Sequence, residues 1–461
     1  MLRKHTLSLL ALLLLLLGST PAWSAGLFAP GRGVHPMGRG GASIAGGDTL
    51  QTLWYNPANL VEMQGFSVLL DVGLIQHTTR FQRAQRIAED GQETNYEPVE
   101  TAPHYLPDPS IMFAYGWKKH RVTVAFGIYA PYANTPSYPD TGPQRYAIIN
   151  TQGSLFVMSH LAAAWAPHPR FRFGAGIQNH TAMVRLQTAA SAYLGIFGGP
   201  EDPDLDLYTE ANLQAPFNIS GNVGVWGRVL DLPKVKLDVA ASVQFPVQLN
   251  TSGEIKVRLP THPLFDPTRI DGKNVSAVLT LPLIVRAAVR ATLFERADIE
   301  AAFVYEGWSA LKELRISITE PNGIWVRDVP TIGDYKVPDI VVPRNSVDAF
   351  SVRVGASVKV LPKWLQVRVG YAYETSATPN STNTVFFYDS VKHLLGAGVS
   401  ITFKKMAIDI SYAHILMPTN TITQSEYKQL NPLNPSGAIV VGNGTYDSSY
   451  NIIGLAWRGS F

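Results

Sequence analysis

Residues 237–250 read LDVAASVQFPVQLN, and their alternation decides the fold class. The odd positions are Leu237, Val239, Ala241, Val243, Phe245, Val247 and Leu249. The even ones are Asp238, Ala240, Ser242, Gln244, Pro246, Gln248 and Asn250. Successive strand residues point to opposite faces, so this stretch predicts a strand with one apolar and one polar face. The pattern returns over 275–293, where Leu279, Leu281, Leu283, Val285 and Val289 oppose Ser276, Thr280, Arg286 and Arg290. It returns again where Val352, Val354 and Val358 oppose Ser351, Arg353 and Lys359, and where Val367, Val369 and Tyr371 oppose Gln366, Arg368 and Glu374.

Fourteen such segments follow one another: 66–81, 104–117, 122–132, 153–165, 171–187, 218–230, 237–257, 275–293, 297–318, 349–361, 365–374, 391–403, 407–417 and 450–461. Their connections alternate between short (118–121, 167–170, 231–234, 295–296, 362–363, 404–405) and long. An even strand count with short turns at one end and long loops at the other predicts a transmembrane antiparallel β-barrel, all-β, of about 14 strands. Strands this long exceed the roughly 5–6 residues usual in soluble sheets, which speaks against a sandwich or propeller. The last segment carries Ile453, Leu455 and Trp457 and closes on Phe461, the kind of ending a barrel-assembly machinery would recognise.

The N-terminus names a compartment. Arg3 and Lys4 precede the apolar run 7–17, and Ala22-Trp23-Ser24 offers small residues at the −3 and −1 positions. This predicts a signal peptide over 1–24, cut before Ala25, because the run is too short to span a bilayer. The chain has no cysteine, hence no disulfide framework and no thiol chemistry. A net charge of +3 gives no reason to expect nucleic acid as a partner. Mean hydropathy of +0.03 fits a soluble protein and an apolar-out, polar-in barrel equally well. Residues 25–64 break the alternation: they hold Gly31, Gly33, Gly38, Gly40, Gly41, Gly46 and Gly47 with Pro30, Pro36 and Pro57. Irregular backbone cannot face lipid but can fill a lumen, so this stretch reads as an N-terminal hatch or as a periplasmic tail, with the barrel over 65–461.

Several short motifs carry a family resemblance. Ala25-Gly26-Leu27, Met37-Gly38-Arg39-Gly40-Gly41-Ala42 and Trp54-Tyr55-Asn56-Pro57-Ala58 resemble the FadL/TodX family of outer-membrane transporters. The likeness continues through Val243-Gln244-Phe245-Pro246-Val247, Tyr305-Glu306-Gly307-Trp308-Ser309 and Asp348-Ala349-Phe350. It implies a Gram-negative outer-membrane channel for hydrophobic molecules, long-chain fatty acids or hydrocarbons. The implied hatch motif is Asn56, Pro57 and Ala58. The implied partners are outer-membrane lipid and lipopolysaccharide, and a monomer is expected. Capture by extracellular loops and sideways release through a kink in the third strand are implied as well. That strand is 122–132 here and contains Pro131, which has no N–H and either interrupts the ladder or ends the strand.

Arg286, Arg290, Arg353 and Arg368 fall on the polar face, where a guanidinium can meet a carboxylate headgroup or pair with lumenal acids such as Glu300, Glu306 and Glu374. In the loop predicted over 189–216, Tyr193, Leu194, Ile196 and Phe197 are candidates for a capture surface or for the loop's own core. Asp202, Asp204 and Asp206 mimic the start of a calcium loop, but Leu207 and Leu213 stand where glycine and glutamate are required. No metal, cofactor or catalytic group is expected, since neither HExxH nor GxSxG occurs. A structural or receptor barrel and a barrel-embedded lipid hydrolase are the alternatives from other classes.

Overall fold

The computed structural model describes residues 23–24, 32–46, 48–88, 91–131, 136–386 and 388–461. Apart from Trp23–Ser24, the predicted signal lies outside the described residues. Among the described residues, fourteen strands form one closed antiparallel ring. The first six are β1 (Gly65–Arg83), β2 (Tyr105–Trp117), β3 (Val122–Tyr129), β4 (Leu155–His168), β5 (Phe171–Ser191) and β6 (Asp206–Asp231). Four strands come in two pieces: β7 (Val235–Gln244, Val247–Arg258), β8 (Asn274–Leu281, Ile284–Leu293), β9 (Ala297–Glu306, Glu313–Ile318) and β10 (Ile340–Pro343, Ala349–Leu361). The last four are β11 (Leu365–Glu374), β12 (Lys392–Phe403), β13 (Met406–Ile422) and β14 (Gly444–Ser460). β14 pairs with β1 from Ser67↔Ser460 to Arg83↔Gly444, so no edge strand is left with unpaired backbone in lipid.

The short turns, Phe461 and the start of β1 share one end. Trp117, Trp165, Phe171, Phe294, Trp364, Phe403 and Phe461 stand exposed there, an aromatic girdle at a membrane interface. The hairpin turns at this end are tight enough to need left-handed backbone, with Phe294 at φ 52°, Glu295 at φ 56° and Lys404 at φ 52°.

The strand pieces are the main departure from the expected pattern. Up to Gln244 the even residues of β7 face the lumen, but from Val247 onward the odd ones do. Val247 and Leu249, expected to face lipid, are buried inside, while Gln248 and Asn250 point outward. β8 changes phase at Pro282–Leu283 in the same way, so Leu281 faces inward rather than out. β6 changes phase at a bulge between Ala215 and Asn218, which holds Pro216 and Phe217. Each break contains a proline that cannot give a ladder N–H, and a bulge shifts a period-two strand onto its other face. Below the breaks, towards the short turns, Val223, Val225, Val239 and Val289 are exposed, and Asp238, Ser242 and Arg286 line the lumen. Above them, Asn212, Gln214, Gln248 and Asn250 lie outside, and Leu213, Val275, Ala277 and Ile316 form an apolar core within. The wall from β6 to β8 is thus membrane-like below and soluble-protein-like above, which puts the outer boundary of the bilayer at the prolines.

Two further expectations need correction. β3 ends at Tyr129, so Pro131 lies beyond the strand rather than inside it. Half of the loop expected over 189–216 is strand: β5 runs to Ser191 and β6 begins at Asp206.

Candidate functional site

Residues 32–46 and 48–64 are folded against the inward faces of strands around the ring, and nearly all are buried. Glu300 on β9 is the main anchor. Its Oε1 accepts from the N–H of Ile44 (2.6 Å) and Ala45 (3.1 Å), and its Oε2 from Gly46 (2.8 Å). Three successive N–H groups converging on one carboxylate make an anion nest, here filled by a wall residue. Arg39 pairs with Asp298 at 2.7 Å and lies 3.8 Å from Glu300. Asn56 Nδ2 donates to Ile44 O and, across to β6, Val225 O, both at 3.1 Å, while Asn56 Oδ1 caps the turn Pro57–Glu62 by accepting from Ala58 N–H. Glycines in the wall make room for this contact. A Cβ on Gly370 would sit 2.0 Å from the Arg39 carbonyl carbon, and one on Gly396 2.2 Å from Met37 O.

Above this segment part of the lumen is filled by apolar side chains. Leu53 and Trp54 of the segment join Tyr129, Met158, Val247, Leu249, Leu281, Ile284, Trp308 and Leu311 in one buried cluster. The inward turn of Val247, Leu249 and Leu281 at the breaks is what adds them to this packed cluster. Below the segment, at the short-turn end, a polar cavity of about 330 Å³ is lined by Asp48, Arg228, Asp238, Arg290 and Asp298 among others.

All four candidate arginines point into the lumen. Arg290 pairs with Asp298 (3.2 Å), Arg353 with Glu374 (3.5 Å) and Arg368 with Asp409 (3.6 Å). Arg286 donates to Gln244 Oε1 (3.3 Å) and lies 5.0 Å from the Trp54 ring centroid, beside the apolar cluster. Of the loop candidates, Tyr193 and Leu194 pack on a core of Ala192, Leu205, Leu207 and Phe265, whereas Ile196 and Phe197 are exposed.

The extracellular end is roofed by loops tied to one another. Arg145 Nε donates to Asp206 at 2.6 Å and the Tyr146 hydroxyl to the same carboxylate at 2.8 Å. From the last loop, the Tyr427 hydroxyl donates to Tyr146 O (3.3 Å), Gln429 to Pro200 O (2.9 Å) and Asn431 to Tyr193 O (2.9 Å). Burial pushes the Tyr427 hydroxyl up to about 12 and raises that of Tyr146 further, so both stay neutral donors.

The seam between β2 and β3 opens where prolines meet. The ladder runs from Trp117↔Val122 to Ser110↔Tyr129 and stops. The next position on the β3-facing edge of β2 is Pro109, followed by Pro107, and neither has an N–H to offer. Ala130 O instead accepts from Arg32 Nη1 (3.1 Å), and the same nitrogen reaches Asp108 on β2 at 3.2 Å. Arg32 was not singled out from sequence, Glu300 was read only as a partner for lumenal arginines, and the inward leucines were placed on the lipid face. Pro216, Pro246 and Pro282 inside long alternating runs were the available signal for the leucines, whereas nothing local marks Glu300 as an acceptor for backbone 250-odd residues away.

A closed fourteen-stranded barrel with an aromatic girdle, an inward-folded N-terminal segment and an apolar cluster in its lumen defines an outer-membrane transport barrel. The model of the outer membrane protein transport protein family (OMPP1/FadL/TodX) matches residues 15–461, and the chain belongs to that family. Similar solved structures include a Pseudomonas aeruginosa FadL homologue, 14% identical, covering 95% of this chain and 100% of that one, with a TM-score of 0.74. The Pseudomonas putida toluene transporter TodX is 14% identical (94% and 99% covered, TM-score 0.64). The Ralstonia pickettii toluene transporter TbuX is 15% identical (94% and 99% covered, TM-score 0.61). At these identities the likeness is one of fold. No curated protein sequence matches the chain. Members of the family are transporters rather than enzymes, and the chain is an outer-membrane barrel for transport of hydrophobic substrates.

Proposed function

We propose that the barrel passively admits long-chain fatty acids or related hydrocarbons, and that residues 25–64 act as a hatch closing the lumen beneath the apolar cluster. The observation that carries this reading is the inward turn of Val247, Leu249 and Leu281, which lines the lumen with aliphatic surface where an aqueous porin would have polar groups. The solved structures of toluene transporters support small hydrocarbons as an alternative cargo to fatty acids. Exposed Ile196 and Phe197 are the first capture surface, and Arg286 beside Trp54 meets a carboxylate headgroup when the cargo carries one. Arg290, Arg353 and Arg368 serve instead to hold lumenal acids.

Release runs sideways at the β2–β3 seam. Two prolines (Pro107 and Pro109) remove ladder donors there, and Arg32 bridges Asp108 and Ala130 across it. Movement of the hatch withdraws Arg32 and frees the seam. Export uses the signal over 1–24, assembly uses the strand ending in Phe461, and the working unit is a monomer in contact with lipopolysaccharide. Native mass spectrometry of the protein purified without added ligand tests the cargo: a retained fatty acid or hydrocarbon is expected, and retention of only polar solutes would refute the reading.

A further inference from the structure

β6 and β7 are neighbours, yet midway up the wall they stop pairing. Their ladder runs from Asp231↔Lys236 to Asn222↔Gln244, and again from Gln214↔Ser252 to Tyr208↔Arg258. Between these stretches, residues 215–221 and 245–251 face each other without a ladder, although the register on both sides is the same. The cause is the phase change already described: β6 shifts face at Pro216–Phe217 and β7 at Phe245–Pro246, at different heights. Within the gap the two strands present opposite faces to one another, so their N–H and C=O groups cannot meet.

Among the described residues, three polar links cross the gap. Phe245 N–H donates to Gly221 O (2.9 Å) and the Ser220 hydroxyl to Phe245 O (2.8 Å), both at the lower rim. In the middle, Asn250 N–H donates to the side chain of Asn218 at 3.0 Å. The Asn218 amide donates back to its own side of the seam, to Ala215 O (3.3 Å) and His180 O (3.0 Å). One rotatable side chain therefore replaces the central ladder bonds. Outside the gap, Phe217 is 71% exposed and Ile219 50% exposed. Behind it, Leu249 is 1% exposed in the packed apolar cluster and lines a narrow crevice that also touches Pro131, His180 and Leu281. The gap lies where the apolar exterior ends, at the outer boundary of the bilayer.

We infer that this gap is a second lateral portal, latched by Asn218, joining the outer leaflet to the apolar part of the lumen. It takes molecules with an apolar acyl or aryl body that have already partitioned into the outer leaflet, and it is separate from the β2–β3 seam on the far side of β4 and β5. The inference presupposes that apolar solute occupies the lumen, the reading proposed above. Backbone groups facing lipid are tolerated only where something else satisfies them, and Asn218 with Asn250 does so here.

The test places a photoreactive benzophenone side chain at Leu249 in the full-length barrel, reconstituted in phospholipid vesicles. Cysteines replacing the outward residues Ile219 and Gln248 allow the strands to be clamped by a short, reducible bis-thiosulfonate, without interference from native thiols. Illumination is expected to give lipid adducts at Leu249, at least tenfold fewer with the clamp closed, and recovered on reduction. The same probe at Ile284, behind a paired part of the wall, is expected to give none. No adduct at Leu249, or adducts indifferent to the clamp, would overturn the portal. Should the Leu249 variant fail to assemble, uptake of a labelled fatty acid by cells carrying the Ile219→Cys/Gln248→Cys protein decides. Slower uptake with the clamp closed supports the portal and an unchanged rate refutes it. Absence of uptake even unclamped, while lipid adducts form at Leu249, would refute the transport reading alone.

Discussion

Replacing Glu300 by alanine should release the N-terminal segment while leaving the barrel closed. The carboxylate accepts from Ile44, Ala45 and Gly46 N–H at 2.6, 3.1 and 2.8 Å and stands 3.8 Å from Arg39. A hydrogen bond to a charged group contributes roughly 1.5–3 kcal/mol net. Three such bonds on one acceptor are not additive, and water entering the vacated space recovers part of the loss, so about 4 kcal/mol is a reasonable figure. That corresponds to about a thousandfold shift towards the open segment. Glu300→Gln keeps an acceptor oxygen but not the charge and should lose about half as much. Hydrogen exchange of the amides in 32–64 measures this directly, read against the strand amides of β9 and β10 as the internal standard. Unchanged protection at Ile44–Gly46 would refute the anchoring argument, and equal loss of protection in the strands would mean that Glu300 supports the barrel rather than the segment.

Other expectations follow from the phase change and the close contacts. Val225→Arg, on the lipid face below the breaks, should destabilise the barrel by roughly 2–4 kcal/mol near the midplane, whereas Gln214→Arg, above them, should be neutral in a urea-refolding assay. Leu249→Asn should cost about 2–4 kcal/mol by burying an amide in the apolar cluster, and Gln248→Leu should be tolerated; the opposite order would mean that β7 keeps a single phase. Gly370→Ala, whose Cβ would meet Arg39 at 2.0 Å, should make the N-terminal segment protease-sensitive without unfolding the barrel. An epitope placed in the last long loop, near Pro435, should be labelled on intact cells and one at Lys404-Lys405 should not; the reverse labelling would invert the topology.

The strand count and the order of short and long connections were legible because period-two alternation survives in every segment, from Phe66 to Phe461. The phase changes were not. In residues 237–250, valine and leucine keep alternating with glutamine and asparagine across Pro246, so the pattern looks unbroken while the chain turns over. An unpaired break at Phe245–Pro246 preserves the appearance of alternation and reverses its meaning. Alternation puts Val285 towards lipid and so its neighbour Ile284 towards the lumen, where arginine would be expected to be tolerated. Ile284 does face the lumen, but it lies in the packed apolar cluster at 1% exposure, so an arginine there would be as unwelcome as one facing lipid. The lumenal arginines were legible as a set, because alternation assigns their face, but their partners were not. Glu374 stood among the acids available to them, but alternation does not say which arginine it meets: Arg353 reaches it across the β10–β11 hairpin, and Arg368 meets Asp409 two strands along the wall, contacts set by cross-strand register.

The central claim is that a partly apolar lumen carries hydrophobic molecules across the outer membrane, and uptake kinetics test it most directly. A strain lacking its own transporters of this class, given this protein, is presented with labelled long-chain fatty acid and with toluene at equal concentrations. The account predicts uptake of at least one above the vector control, lost in Leu249→Asn, while a polar solute of similar size enters no faster than in the control. Equal entrance of polar and apolar solutes, or apolar uptake unaffected by Leu249→Asn, would contradict it.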